Sequence, residues 1–415
     1  MSRAPLKIAI ITQYFYPESF IINDIVRELS RQGQHVEVFT GKPNYPSGKV
    51  YEGYSEDGYS KESFSGSVTI HRAPLRPRHA GGAKNLALNY LSFVFNGTRY
   101  FPLKARRSKF DVYFVFAMSP ITAAIPAIAM SAAHRAPLFV WVQDLWPESL
   151  EATGFVKNKL VLKGVGLLVR AIYAAVDVLL VQSQAFTGPV SRYARRDKIQ
   201  YYPNSYLQDD NPSLTPQLPA WLTAVLRESF CVVFAGNMGT AQALPTIVEA
   251  AQHLKQQRST ARIVMVGAGS SAEWLAGRKE ALGLDNIILA GAFPKTAMAE
   301  LFELSSALLV TLKKEEIFSY TIPSKVQAYL AAGRPIIGSL DGEGARVISE
   351  AGAGMTCPAG DGPALAASIV AMQALSADQR RQLGVCGRAY YNEHFELKAQ
   401  CKKLIELFEK QIPGD

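Results

Sequence analysis

Cysteine is scarce in this chain of 415 residues, and no two cysteines form a CxxC pair. The four cysteines stand far apart in the second half of the chain, without a histidine cluster beside them: Cys231, Cys357, Cys386 and Cys401. This spacing argues against a zinc site and against a disulfide framework, and it suits a reducing compartment.

Long uncharged hydrophobic runs are also missing. The best candidate, residues 118–133, contains two prolines and is too short to cross a membrane. Residues 160–181 carry three charged side chains, which predicts a buried or half-buried helix followed by a strand. The residues before the first strand-like segment lack the apolar core of a signal peptide. We therefore expect no membrane-crossing segment and no signal peptide.

Acidic residues are absent from residues 63–110, a segment with nine lysines and arginines and many aromatic or aliphatic side chains between them. The basic excess belongs to residues 1–204, with 25 basic and 14 acidic residues, against 19 and 21 in the remainder. This pattern favours contact with an anionic membrane surface. Single-stranded nucleic acid is a competing partner that we do not expect, and a helix with a solvated basic rim remains an open interpretation.

The strand and helix patterns predict two domains, because 415 residues exceed one hydrophobic core. Short apolar runs alternate with helical patterns in residues 1–204 and again in residues 205–415, with a linker rich in Pro, Asp and Asn at 203–220. Such alternation predicts parallel sheets covered on both faces. A helical tail, from about residue 377 to 411, ends the second domain and can also pack back on the first.

The segment Pro323-Ser324-Lys325 is the strongest candidate site in the second domain. Proline is favoured at the first helical position, so the segment predicts a helix start with free backbone NH groups. These NH groups, the Ser324 hydroxyl and the Lys325 ammonium suit a diphosphate. An ordinary helix start with a solvated lysine is the alternative.

Glycine-containing turns follow other strands of the second domain. The turn Gly236-Asn237-Met238-Gly239 allows a ligand to approach the backbone closely, although an ordinary turn is the preferred explanation for the glycines taken alone. The pattern that starts at Gly267 is an incomplete GxGxxG, which disfavours a hydride-transfer enzyme. Further candidates for the ligand site of the second domain are Phe293, Glu343 and Gly344. Glu343 can accept hydrogen bonds from sugar or ribose hydroxyls, or lie in a helix start.

The first domain has candidate residues after two of its predicted strands. Asp144 and Glu148 are the best-placed carboxylates, and Asp144 can orient or deprotonate an acceptor hydroxyl. A helix-capping role is the alternative for Asp144. Further acceptor-side candidates are Tyr16, Glu18, Asn23, Gln143 and Trp146. We expect Glu18 to reach out of its loop toward the acceptor.

Taken together, the chain resembles GT4-type glycosyltransferases of bacterial O-antigen, capsule and exopolysaccharide assembly, and among them the L-fucosamine (FucNAc) transferases. The segments that carry the resemblance are residues 13–19, 41–51, 143–148, 236–239, 323–335 and 342–345. The resemblance implies a GT-B fold, which is α/β with two Rossmann-like domains facing a cleft. It also implies a UDP-sugar in the C-terminal domain, an undecaprenyl-diphosphate-linked acceptor in the N-terminal domain, and no cofactor or metal.

Two departures from the family pattern stand out. The two glutamates usual in GT4 enzymes are replaced by Tyr320 and Ala328, and a histidine frequent before the first-domain aspartate is replaced by Gln143. A retaining outcome therefore does not follow from the sequence.

The interpretation we favour is a hexosyltransferase-type enzyme on the inner face of the cytoplasmic membrane, with Asp144, Glu148 and Lys325 as catalytic candidates. It would move a sugar, with N-acetyl-L-fucosamine as the candidate, from a UDP-sugar to a lipid-diphosphate-linked saccharide. A nucleotide-sugar 2-epimerase of the same fold is one alternative. A non-enzymatic scaffold that binds a membrane or nucleic acid is another.

Overall fold

The computed structural model describes residues 4–79, 82–152, 154–208 and 218–412. The chain divides into two compact units, residues 1–205 together with 397–415, and residues 206–396. Residues 209–217 of the linker predicted at 203–220 lie outside the described residues.

The first unit is built on an eight-stranded sheet in the order β3-β4-β2-β1-β5-β6-β7-β8, parallel except for β3. Its elements are β1 (Lys7–Thr12), α1 (Ile21–Arg31), β2 (His35–Gly41), β3 (Ser60–Phe64), β4 (Val68–Ala73), α2 (Ala83–Ala105), β5 (Val112–Ala117), α3 (Ile125–His134), β6 (Leu138–Val142), α4 (Glu148–Ala152), α5 (Lys159–Ala174), β7 (Val178–Val181), α6 (Thr187–Ser191) and β8 (Ile199–Tyr201). The central strands β5, β6 and β7 are buried along their whole length, as expected for parallel strands covered on both faces.

The second unit has a six-stranded parallel sheet in the order β11-β10-β9-β12-β13-β14. Its elements are α7 (Ala220–Glu228), β9 (Cys231–Ala235), α8 (Leu244–Gln256), β10 (Arg262–Val266), α9 (Ala272–Ala281), β11 (Ile287–Gly291), α10 (Met298–Leu304), β12 (Ala307–Thr311), α11 (Glu316–Ser319), α12 (Ser324–Ala332), β13 (Ile336–Ser339), α13 (Glu343–Glu350), β14 (Gly354–Cys357), α14 (Gly362–Ala374) and α15 (Ala377–His394). The alternation of strands and helices and the parallel sheet predicted for this half are both present.

The helical tail divides between the two units. Its first part is α15 in the second unit, and the last helix, α16 (Leu397–Gln411), belongs to the first unit. The ring of Phe408 on α16 lies 5.6 Å from that of Phe114 and 4.9 Å from that of Phe139, centre to centre. Burying these rings fixes the chain end on the first sheet.

Helix α5 is half-buried and is followed by β7, which is one of the two forms expected for residues 160–181. One face, with Val169 and Ile172, packs inward, but Leu160 is 77% exposed and Leu167 is 68% exposed. Helix α2 likewise exposes Leu91 and Phe95. Among the described residues, no helix is long and apolar enough to span a membrane.

Candidate functional site

Lys325 lies in the first turn of α12, where its side chain is half-buried. Its ammonium nitrogen donates to Oε1 of Gln242 at 2.9 Å and lies 3.8 Å from the centre of the Phe234 ring. Burial lowers the pKa of Lys325 to about 8. The structure therefore holds a partly desolvated cation at the start of a helix, where anions bind favourably.

The helix start differs by one residue from the expectation. Pro323 is the N-cap residue, and Ser324 is the first helical residue. The extended backbone of Pro323 (φ −61°, ψ 136°) turns the chain into the helix, and Ser324 is exposed. The displacement leaves the prediction of an anion-binding helix start open, because the NH groups of Ser324 and Lys325 still belong to the first turn.

The turn after β9 lies directly beside Lys325. Gly236 has φ +131°, and a methyl group added to it would lie 2.8 Å from Cε of Lys325. Gly236 and Asn237 are exposed, whereas Met238 is buried in the core behind the turn. Gly239 is followed by a short 3-10 helix, Thr240–Gln242, which supplies the acceptor for Lys325. A side chain at 236 would therefore displace the lysine.

The turn after β10 packs against the turn after β9. A methyl group on Gly267 would lie 1.9 Å from the carbonyl oxygen of Gly236, so only glycine fits there. The NH of Met238 donates to the carbonyl of Ala268 at 2.8 Å. This packing gives Gly267 a structural role in shaping the turn. Phe293 is half-buried and packs against the core of the second unit.

The start of α13 packs against the start of α12. A methyl group on Gly344 would lie 3.1 Å from Cδ of Pro323, and one on Gly342 would lie 2.1 Å from the carbonyl oxygen of Ser319. Two helix N-termini thus meet after β12 and β13. Their free NH groups both favour an anionic ligand.

The carboxylate of Glu343 binds an arginine of its own helix. It is buried in the first turn of α13, and both its carboxylate oxygens accept from Arg346, at 3.0 and 3.1 Å. This bidentate pair holds the carboxylate against its own helix. The structure therefore supports the alternative of a helix-start residue for Glu343.

Asp144 follows β6 and is partly enclosed. Burial raises the pKa of the Asp144 carboxyl group, and hydrogen bonds from Ser149, Ser119 and Trp146 oppose the rise. The indole nitrogen of Trp146 donates to Ser119 at 3.2 Å. Burial of this kind favours the protonated form of the carboxyl group, which suits Asp144 to accept a proton.

Glu148 is the first residue of α4, and its carboxylate is paired with Arg192 at 3.4 Å. Both side chains line a groove of about 530 Å³ between α4, α5 and the residues after α6. Gln143 is half-buried, and its carbonyl accepts from Gln182 at 2.7 Å.

Glu18 corrects a prediction. It is 1% exposed and accepts from the backbone NH groups of Phe15, Asn44 and Tyr45 at 2.7–3.0 Å. Burial raises the pKa of Glu18, and these NH groups oppose the rise. The carboxylate was expected to reach outward, but it ties two loops together because backbone NH groups on both loops converge on it.

Asn23 plays a similar part in the same loop, whereas Tyr16 is exposed. The Asn23 side chain accepts from the NH of Tyr16 at 3.2 Å and donates to the carbonyl of Glu18 at 2.7 Å. The Asn23 amide is thus occupied by backbone groups. The ring of Tyr16 is 44% exposed and stays available to a ligand.

A cluster of rings around Arg78 was missed by the sequence reasoning. Rings from three separate segments surround this guanidinium, those of Tyr14, Tyr45 and Tyr90. The Tyr90 ring also lies 6.3 Å from that of Trp146, whose indole nitrogen donates to Ser119. No spacing rule links residues 14, 45, 78 and 90. Only the aromatic and basic content of residues 63–110 pointed toward them.

Two models of known protein families match separate parts of the chain. Residues 20–205 match the model of the glycosyl transferase 4-like domain, and residues 229–374 match that of glycosyl transferases group 1. An Escherichia coli (strain K12) protein described as a colanic acid biosynthesis glycosyl transferase, WcaI, is 24% identical over 329 residues, covering 75% of this chain and 76% of that protein.

Two solved structures share the fold over 98% of this chain. Sucrose-phosphate synthase from Thermosynechococcus elongatus has a TM-score of 0.70 at 16% identity, with 98% of its chain covered. HepE from Anabaena, in complex with UDP, has a TM-score of 0.65 at 12% identity, with 100% covered.

The fold is GT-B, with two α/β domains, as the sequence predicted. The chain carries a glycosyl transferase 4-like domain followed by a glycosyl transferases group 1 domain, and it is a glycosyltransferase.

Proposed function

We propose that the protein transfers a sugar from a UDP-sugar to a lipid-diphosphate-linked saccharide during bacterial surface-polysaccharide assembly. The observation that carries the proposal is the Lys325 ammonium at the start of α12, beside the open Gly236 turn. The UDP bound to HepE and the colanic acid role in the description of WcaI support a UDP-sugar and a polysaccharide pathway. N-acetyl-L-fucosamine is the sugar we propose, on the resemblance alone.

The proposed reaction places charge where Lys325 stands. An acceptor hydroxyl oxygen attacks the anomeric carbon and forms the new C–O bond. The bond from that carbon to the β-phosphate oxygen breaks, and its electron pair leaves with UDP. Lys325 and the helix NH groups stabilise the negative charge that builds on the diphosphate. The hydroxyl proton passes to Asp144, whose raised pKa suits it to a base.

We expect the reaction to need no metal ion. Lys325 and the NH groups of Ser324 and Lys325 supply the positive charge that a divalent cation would otherwise bring to the diphosphate. Activity should therefore be unchanged after dialysis against EDTA. A loss that Mg²⁺ or Mn²⁺ restores would contradict this part of the proposal.

The membrane contact is assigned to residues 63–110, on the inner face of the cytoplasmic membrane. Helix α2 lies in this segment and exposes Leu91, Phe95 and Leu103. Helix α5 also exposes apolar and basic groups, Leu160 and Leu167 with Lys163 between them in the sequence. Both features support insertion of side chains into an anionic bilayer surface.

Thermal unfolding of the native chain with a panel of UDP-sugars tests the donor assignment. A donor that binds the folded chain alone raises the melting temperature by mass action. We expect UDP and at least one UDP-N-acetylhexosamine, UDP-N-acetyl-L-fucosamine first, to raise it, and Lys325→Ala to abolish the shift. Equal shifts for the native chain and the variant would contradict the donor site, and shifts by GDP-sugars alone would contradict UDP.

A further inference from the structure

Arg78 follows β4 and lies inside a cage of aromatic rings. Its guanidinium carbon is 4.9 Å from the centre of the Tyr14 ring, 5.2 Å from that of Tyr45 and 5.9 Å from that of Tyr90. The guanidinium also donates to the Tyr14 hydroxyl. These contacts fix the plane and position of the guanidinium.

The positive charge of Arg78 has no carboxylate partner within ion-pair distance among the described residues. Within the same part of the chain, its Nε is buried and has no hydrogen-bond acceptor. The contrast is Arg72, six residues earlier, which is fully buried and bonds Glu62 at 2.6 Å. Enclosing a cation without a counter-ion is costly, so an anion that binds Arg78 would gain the missing interaction.

The cage is assembled by the segment 41–51, which also carries part of the family resemblance. Glu18 holds the NH groups of Asn44 and Tyr45, and the Asn44 side chain accepts from the NH of Arg78 at 3.4 Å. A methyl group on Gly48, at φ +75°, would lie 2.0 Å from the carbonyl oxygen of His79. Buried groups thus place Tyr45 over the guanidinium.

Contacts of Tyr90 link the cage to the surroundings of Asp144. The ring of Tyr90 lies 6.3 Å from that of Trp146, whose indole nitrogen donates to Ser119 at 3.2 Å. Trp146 follows Asp144 by two residues, so the anion position and the proposed base both adjoin this cluster. In a lipid-diphosphate-linked sugar, the diphosphate is on C1, and the groups on C3 and C4 lie across the ring from it, so one sugar ring can present both ends to this cluster.

We propose that Arg78 binds the diphosphate that joins the acceptor saccharide to its lipid, so that the first sugar ring lies between Arg78 and Asp144. This inference rests on the proposed function. The lipid chain would leave along α2, because the residue after Tyr90 is the exposed Leu91, and Phe95 lies one turn further on. The guanidinium can form two parallel bonds to phosphate oxygens, which a lysine cannot.

Binding of farnesyl diphosphate, a soluble polyprenyl diphosphate, tests the inference on the full chain in saturating UDP, which keeps the donor site occupied. Arg78→Gln should raise its Kd by about tenfold or more, because a charge-assisted contact is lost. Arg78→Lys should retain part of the affinity. Arg196→Gln removes the same charge from an exposed position of the same unit and should leave the Kd unchanged.

Inorganic pyrophosphate and glucuronate, added in separate titrations, distinguish the sources of the anion. We expect pyrophosphate to bind in an Arg78-dependent way, more weakly than farnesyl diphosphate, and glucuronate not to bind. Arg78-dependent binding of glucuronate without binding of either diphosphate would overturn the proposal, since the anion would then be a sugar carboxylate. Equal Kd values for the native chain and Arg78→Gln would overturn it as well.

The test is separate from that of the donor site. Melting temperatures of the variants without ligand show whether each one folds, and Arg78→Lys keeps the charge if Arg78→Gln does not fold. Loss of the UDP shift in the native chain would contradict the proposed function while leaving the diphosphate titration interpretable. Normal UDP binding with Arg78-independent farnesyl diphosphate binding would contradict the Arg78 site alone.

Discussion

A methyl group on Gly236 would lie 2.8 Å from Cε of Lys325, so the absence of a side chain at 236 is what admits the lysine to the turn. The ammonium group then reaches Gln242 and the face of the Phe234 ring. The first-turn lysine is thus partly enclosed, which does not fit the alternative of an ordinary helix start with a solvated lysine. Its charge is held in place before any ligand arrives, which is the arrangement that electrostatic catalysis requires.

Lys325→Ala should lower sugar transfer by about two orders of magnitude, or ~3 kcal/mol, the effect of losing one preorganised charge. The melting temperature should change little, because the lost cation–π contact of about 0.5–1 kcal/mol opposes relief of the buried charge. Ser324→Ala should cost less, since a neutral hydroxyl forms a weaker bond. Steady-state kinetics measure both variants.

Arg227→Ala is the matched control for Lys325→Ala, because Arg227 is an exposed cation at the end of α7. Arg334 is unsuitable as a control, because it is half-buried and donates to the carbonyl of Glu303. A Lys325→Ala protein with normal transfer and normal UDP affinity would contradict the diphosphate site.

The pH dependence of kcat/KM for the donor should show an alkaline fall. Lys325 has a pKa of about 8 in the free protein, so its charge is present below pH 8 and is lost as the pH rises through that value. Bound diphosphate favours the charged form, so kcat should fall at a higher pH than kcat/KM. Lys325→Arg keeps its charge, so the fall should disappear there.

The lowered pKa of Lys325 makes activity and stability change in opposite directions as the pH rises. The unfolded chain binds more protons than the folded chain between about pH 8 and the ordinary lysine value, so this group makes the free energy of unfolding rise with pH in that window. For activity, an alkaline fall in kcat/KM that persists in Lys325→Arg would show that a group other than Lys325 controls this pH dependence.

Asp144→Asn should lower turnover by roughly a hundredfold or more and leave UDP affinity nearly intact, because the amide cannot accept the proton. Burial raises the pKa of Asp144, so activity of the native enzyme should rise with pH as this carboxyl ionises. The acid limb should be absent in the variant. An equal loss of UDP binding would assign a structural role to Asp144.

Gly236→Ala should weaken UDP binding by about tenfold, because backbone strain of about 1–3 kcal/mol and the contact with Lys325 both oppose the native position of the lysine. Gly277→Ala is its control, since Gly277 lies on the exposed side of α9 and a methyl group there meets nothing within 4 Å. Calorimetric titration with UDP measures both. Equal affinities would show that the turn lies outside the donor site.

Replacing Arg106, Arg107 and Lys109 with serine should weaken sedimentation with anionic vesicles and make it less sensitive to salt. Each cation near the surface contributes about 1 kcal/mol. Leu91→Ser with Phe95→Ser should weaken binding without changing the salt dependence, because it removes insertion and leaves the charge.

The control for the vesicle experiment removes three exposed cations from the second unit, by replacing Arg227, Arg278 and Lys295 with serine. This variant should sediment as the native chain does. Unchanged binding after the substitutions at residues 106–109, or an equal loss in the control, would contradict a membrane contact through residues 63–110.

Much of the donor side could be predicted from the sequence, because the information there is local. Apolar runs ending in glycine identify β9, β10 and β11, and Pro323 identifies a helix start to within one residue. Parallel strands bring their carboxyl ends to one edge of a sheet, so the placement of Gly236 beside Lys325 follows from the topology.

What only the tertiary structure decided depends on contacts between distant segments. Glu18 is buried because NH groups of residues 44 and 45 bind its carboxylate, and Glu343 is held by Arg346. The core covers one face of α5 and leaves the other exposed. The cage around Arg78 joins four segments that no periodicity relates. Burial and pairing depend on the whole surroundings of a side chain, whereas a sequence pattern specifies only its neighbours along the chain.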